Sequence, residues 1–131
     1  MNSRFVLFLI AAVCASAEPP KPVAPLFGRV WQVARTGSAV PSGSIYIFLP
    51  NGSLLMTSCV ETYRIAHWTS DSKQPDTLRL TEDGEQTATL TLEKLKGSTA
   101  RLTQTLVRSG KKSSITLIAL DREFVCPDMP K

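Results

Sequence analysis

His67 is the single histidine of this 131-residue chain, so any Ser-His-Asp relay would have to be built on it. The surrounding sequence does not supply one. The serines that follow glycines, Gly43-Ser44 and Gly97-Ser98, stand beside turn signals and outside any G-x-S-x-G elbow. No His, Cys and carboxylate cluster has the close spacing that zinc ligands need, and no glycine-rich phosphate loop is present. The adjacent carboxylates Glu82-Asp83 precede Gly84, where turn chemistry accounts for them. The expected protein is therefore not an enzyme and carries no cofactor and no metal. His67 reads as a strand residue of undetermined facing.

Binding chemistry is easier to place than catalysis. Tyr46, Met56, Trp68 and Gln104 are the candidates for lining a small apolar-ligand pocket. Gln104 is the odd member, because strand alternation sets its amide among inward leucines, where it must find a polar partner. Trp31 and Trp68 are read first as core or barrel-end plugs, since aromatics carry much of a small core. Cys59 and Cys126 are expected to form a disulfide that fastens the C-terminal tail to the body. In the chain-entropy picture such a long-loop cross-link stabilises by roughly 4 kcal/mol. Asn51-Gly52-Ser53 is formally a glycosylation sequon, meaningful only in a eukaryotic secretory route.

The elements that must hold these residues begin after a leader. Arg4 precedes the apolar run 5–13, and Ala15-Ser16-Ala17 supplies a small-x-small cleavage signal. Residues 1–17 are thus expected to be a signal peptide, directing the protein to the periplasm or exterior. A lipoprotein anchored at Cys14 is the alternative, disfavoured by Val13 in place of a small residue. Residues 18–27, with Pro19, Pro20, Pro22 and Pro25, read as an extended linker, and residues 28–131 as one domain with its tail. The formal net charge of +4 is scattered and not interleaved with aromatics, which argues against nucleic-acid binding. No apolar run reaches the roughly 20 residues of a membrane-spanning helix, and a monomer is expected.

From Gly28 onward the pattern is all-β. Strands are predicted near 29–35, 43–49, 54–60, 62–69, 77–81, 86–94, 98–108 and 112–121. An Asn51-Gly52 two-residue hairpin would pair Leu49 with Leu54 and Ile47 with Met56. At Asp83-Gly84 a two-residue turn would set Leu80 opposite Thr87, so a three-residue Glu82-Asp83-Gly84 loop is preferred, pairing Leu78 with Ala88. A Leu95-Lys96-Gly97 loop pairs Leu92 with Ala100, and a Ser109-Gly110 turn pairs Leu102 with Leu117 and leaves Gln104 opposite Ile115. Ala88, Leu90 and Leu92 then share an inner face with Ala100, Leu102 and Leu117. Eight such strands joined in sequence form an up-and-down antiparallel meander, which closes into a barrel to remove its edges. Tyr46, Phe48 and Leu55 are left on an outer face that the linker or the tail should cover. Arg101, Arg108 and Lys111-Lys112 would form a basic edge.

Several segments resemble bacterial lipocalin-like domains. Trp31 follows Gly28 in the first strand, and Phe48-Leu49-Pro50-Asn51-Gly52-Ser53-Leu54 is similar to that group's early hairpin. The run 63–68 followed by Asp76-Thr77-Leu78-Arg79-Leu80 resembles its tryptophan strand and the strand after it, and 89–102 resembles its later hairpin. Ala66-His67 stand where members usually carry a glycine, and the tail 124–127 lies outside the pattern. The resemblance implies an eight-stranded calycin-type barrel in the cell envelope without catalytic activity. The expected role is binding of a small apolar ligand or service as an envelope binding module. The alternatives are a protein-interaction module that inhibits an exported hydrolase through residues 18–25, and a structural component with a filled core.

Overall fold

A computed structural model describes residues 20–36, 40, 43–59 and 62–124. After a 3-10 turn at Ala24–Leu26, eight strands follow in order. They are β1 (Val30–Thr36), β2 (Ile45–Phe48), β3 (Ser53–Thr57), β4 (Arg64–Asp71), β5 (Gln74–Glu82), β6 (Glu85–Lys96), β7 (Thr99–Leu106) and β8 (Lys112–Ala119). Each pairs antiparallel with its sequence neighbours, and β1 pairs with β8, so the sheet closes into an up-and-down barrel. The all-β meander expected from alternation is therefore what forms. The leader 1–17 lies outside the described residues.

The core repeats the alternation of the later strands. Leu78 and Leu80, Ala88 and Leu90, Ala100 and Leu102, and Ile115 and Leu117 are all buried inside. Their outward neighbours, such as Thr89, Arg101 and Thr116, leave the wall polar. The two predicted loops at 95–97 and 109–110 are each off by two positions. Leu92 pairs with Leu102 through a Gly97-Ser98 turn and a bulge at Glu93. Leu102 pairs with Ile115 through a four-residue loop, 107–110, closed by Leu106 N–H to the Lys111 carbonyl at 2.9 Å. Side chains repeat every two residues, so an even slip keeps every inward residue inward.

The other two hairpins differ in ways that matter more. At Asp83-Gly84 the turn has two residues and not the expected three, with both φ positive (51° and 82°), as a type I′ turn requires. The mismatch it creates is relieved by a bulge: Thr81 pairs with Gln86, Leu80 pairs with Ala88, and Thr87 is the extra residue. At Asn51-Gly52 the expected two-residue turn is instead a three-residue loop, Pro50-Asn51-Gly52, closed by Leu49 N–H to the Ser53 carbonyl at 2.9 Å. Phe48 then pairs with Leu54 and Tyr46 with Met56. This odd slip turns Tyr46 and Phe48 into the core and Ile47 and Leu49 outward. Gly52 is required there, since its φ is +90° and a Cβ would stand 2.6 Å from His67 Cε1.

One end of the barrel is closed. Residues 20–27, expected as an extended linker, fold across it and bury Val23 and Leu26 completely. Val23 and Ala24 N–H both donate to the Pro20 carbonyl, at 3.0 and 2.9 Å. The Trp31 indole N–H donates to the Leu26 carbonyl at 2.8 Å, tying the first strand to this plug. Phe27 pairs in parallel with Phe48 and packs edge-on against Trp68, with ring centroids 4.9 Å apart. The linker therefore does not cover the outer wall. Val30, Ile47, Leu55 and Ile65 lie in register across β1 to β4 on that wall, with Ile65 60% exposed. The tail residues 125–131 lie outside the described residues.

Candidate functional site

Among the described residues the opposite end is open. Strands β2 to β7 end there around a cavity of about 290 Å³. Met56, Leu80, Ala88 and Leu106 supply its apolar surface. Tyr46, Gln104, Arg64, Glu82 and several hydroxyls, among them Thr57, Thr62 and Thr87, supply the polar one. The bulge at Thr87 brings that side chain into the wall beside Ala88.

Three of the four ligand-lining candidates meet here: Tyr46, Met56 and Gln104. Tyr46 and Met56 are a cross-strand pair of β2 and β3. Gln104 sits on β7 opposite Leu90 on one side and Ser113 on the other, not opposite Ile115. Trp68 is not among them. It lies at the plugged end, where its indole N–H donates to the Leu49 carbonyl at 2.8 Å and its ring meets Phe27. Trp68 is thus a plug residue, as is Trp31.

Arg64, to which the sequence assigns no role, and Glu82, expected in the turn but found at the end of β5, complete the site. Arg64 Nη2 donates to both carboxylate oxygens of Glu82, at 2.7 and 3.1 Å. The pair spans β4 and β5 at the rim, with side chains 59% and 25% exposed. A partly solvated pair of this kind adds about 0–1 kcal/mol to stability, so positioning is its larger effect. The signal that could have found them is parity. Arg64 shares the inward row of Ala66 and Trp68, and Glu82 that of Leu78 and Leu80, each at the strand end nearest the opening.

Tyr46 is 4% exposed, and among the described residues its hydroxyl has no hydrogen-bond partner. Burial pushes its pKa up to about 12, Arg64 lowering it and Glu82 raising it by smaller amounts. The phenol is therefore a neutral donor aimed at the cavity. The folded state disfavours the phenolate, so stability is intact below the ordinary tyrosine pKa of about 10 and falls as pH rises toward 12. The chain has two tyrosines. Absorbance titration of the folded protein is expected to show one phenol resisting ionisation until pH about 12, and Tyr46→Phe should remove that late component.

The remaining chemistry lies elsewhere. His67 points outward beside Gly52, away from the cavity. The basic residues do not form one edge: Arg101 lies on the wall near the plugged end, while Arg108, Lys111 and Lys112 surround the open-end loop. A closed barrel also leaves no edge to protect. Cys59 follows β3 at the open end, half-buried. Its expected partner, Cys126, lies outside the described residues. No group of three or more His, Cys, Asp or Glu that could hold a metal occurs among the described residues. Among them no helix is long and apolar enough to cross a membrane. The chain matches no family model, no curated protein and no solved structure.

Proposed function

We propose that this is an exported, non-enzymatic, lipocalin-like binding protein that holds one small ligand in the open end of its barrel. The observation that carries the reading is the cavity itself, an open concave site with an apolar floor and a Tyr46 hydroxyl that has no hydrogen-bond partner among the described residues turned into it. A ligand acceptor placed there would take a hydrogen bond from that hydroxyl. A few converging polar groups over apolar lining is the general form of a small-molecule site. The cavity is more polar than a purely apolar ligand needs, so the ligand is amphipathic. Catalysis has little to work with there, since the lone imidazole is on the outer wall.

The inhibitor alternative depended on residues 18–25 entering a partner's cleft. Val23 is completely buried against the core, so releasing that segment would open the barrel's closed end.

Native mass spectrometry of the exported, oxidised protein tests the proposal. The expected result is a retained small molecule on a chain lighter by two hydrogen atoms than its reduced form, reporting the Cys59–Cys126 bond. A protein that carries no adduct, and takes none from a cell-envelope extract, would overturn the binding reading in favour of a structural barrel.

A further inference from the structure

The chemistry of the open end is specific enough to name a ligand class, on the premise that this cavity is the binding site. We infer that it takes a compact zwitterion, an α-amino acid with an apolar side chain, with its carboxylate on Arg64 and the Tyr46 hydroxyl and its ammonium on Glu82.

Charge is the first argument. Arg64 and Glu82 are held together at 2.7 Å on the rim and are the charged side chains among the described residues lining the cavity, so the pair presents a strong dipole with no net charge. A lone anion drawn to Arg64 also meets Glu82, and a lone cation drawn to Glu82 also meets Arg64. A ligand carrying both charges a few ångströms apart complements both groups at once.

Unused donors are the second. Arg64 spends only Nη2 on Glu82, and among the described residues its Nη1 and Nε have no partner. A guanidinium presents five N–H donors in a flat fork that suits a carboxylate. The Tyr46 hydroxyl and the Gln104 amide face the same space, also without partners among the described residues. A carboxylate satisfies such a donor set, and the amide can donate to it or accept from the ammonium.

Depth is the third. The cavity reaches only from Leu80 to Glu82 on β5, from Gln104 to Leu106 on β7 and from Met56 on β3 to Ser58 just past its end. Three residues of strand span roughly 7 Å. Beneath them Leu54, Leu78, Leu90, Leu102 and Ile115 are at most 1% exposed, so there is no tunnel for a long acyl chain. A single short apolar side chain can rest on Met56, Leu80, Ala88 and Leu106.

The test is amide chemical-shift titration of the oxidised mature protein with L-leucine, 4-methylpentanoate and 3-methylbutylamine. These probes share an apolar group and differ in charge. Leucine is expected to shift cavity residues saturably and to bind about tenfold more tightly than either singly charged analogue, the effect of one lost charge-assisted bond. Tyr46→Phe, Arg64→Gln and Glu82→Gln should each weaken leucine binding by about tenfold, with amide dispersion showing each variant folded. If an analogue matches leucine at the cavity, the zwitterion is overturned and the cavity remains a ligand site. If no probe shifts cavity residues while the exported protein still carries an adduct, the amino-acid class is overturned and the binding reading stands. If neither probe nor adduct binds, both fall.

Discussion

Deleting residues 18–25 is expected to lower the unfolding free energy of the barrel by about 3 kcal/mol or more, comparable to large-to-small changes in a core. The segment contains Val23, with no exposed surface, and the first two residues of the 3-10 turn that seats Leu26, 1% exposed. Losing it removes a fully buried member of the core cluster that also holds Trp31, Phe48 and Leu54. Urea denaturation followed by tryptophan fluorescence measures the effect directly, because Trp31 and Trp68 both sit at the plugged end. A detachable linker would leave the midpoint unchanged, and that result would refute the plug. A lowered midpoint would also mean that any partner activity lost with this deletion reports unfolding, and not the loss of an inhibitory segment.

Trp31→Ala should cost about 3–5 kcal/mol, the range for truncating a fully buried large aromatic. Trp31 has no exposed surface and pairs across the barrel's closing seam with Ala119 as well as with Tyr46 of β2. Trp31→Phe separates packing from hydrogen bonding. It keeps most of the ring but strands the Leu26 carbonyl, which accepts the indole N–H at 2.8 Å. That variant should lose about 1–3 kcal/mol. If the bond is what anchors the plug, Trp31→Phe and the 18–25 deletion will be non-additive, since residues sharing one contact couple. Additive losses would show that the plug is held by apolar contact alone.

The fold was legible because the later strands alternate cleanly and their turns carry glycine. In β6 and β7 the inner residues Ala88, Leu90, Ala100 and Leu102 could be named without the correct pairing, because the leucines slipped by two and the odd shift that sets Ala100 opposite Leu95 is absorbed by the bulge at Glu93. The hairpin at Asn51-Gly52 was not legible in the same way. Tyr46, Ile47, Phe48 and Leu49 are all apolar or aromatic, so periodicity could not choose a face, and a one-residue difference in loop length reversed them. The bulge at Thr87 was likewise invisible, because a strand shows its extra residue only against its partner.

For the site, Tyr46, Met56 and Gln104 could be named from residue type, but not Arg64, which as a single charge looks like an ordinary surface residue, or Glu82, which beside Asp83 and Gly84 looks like part of the turn. What the chain determined by itself was local: which stretches extend, where they turn, and that eight of them in series must close. Only the closed barrel decided the rest. Closure sets which strand ends share a mouth, and the packing of residues 20–27, with their 3-10 turn at Ala24–Leu26, sets which of the two ends is filled. Those are relations between residues far apart in sequence, and hydrophobic pattern along one strand carries no information about them.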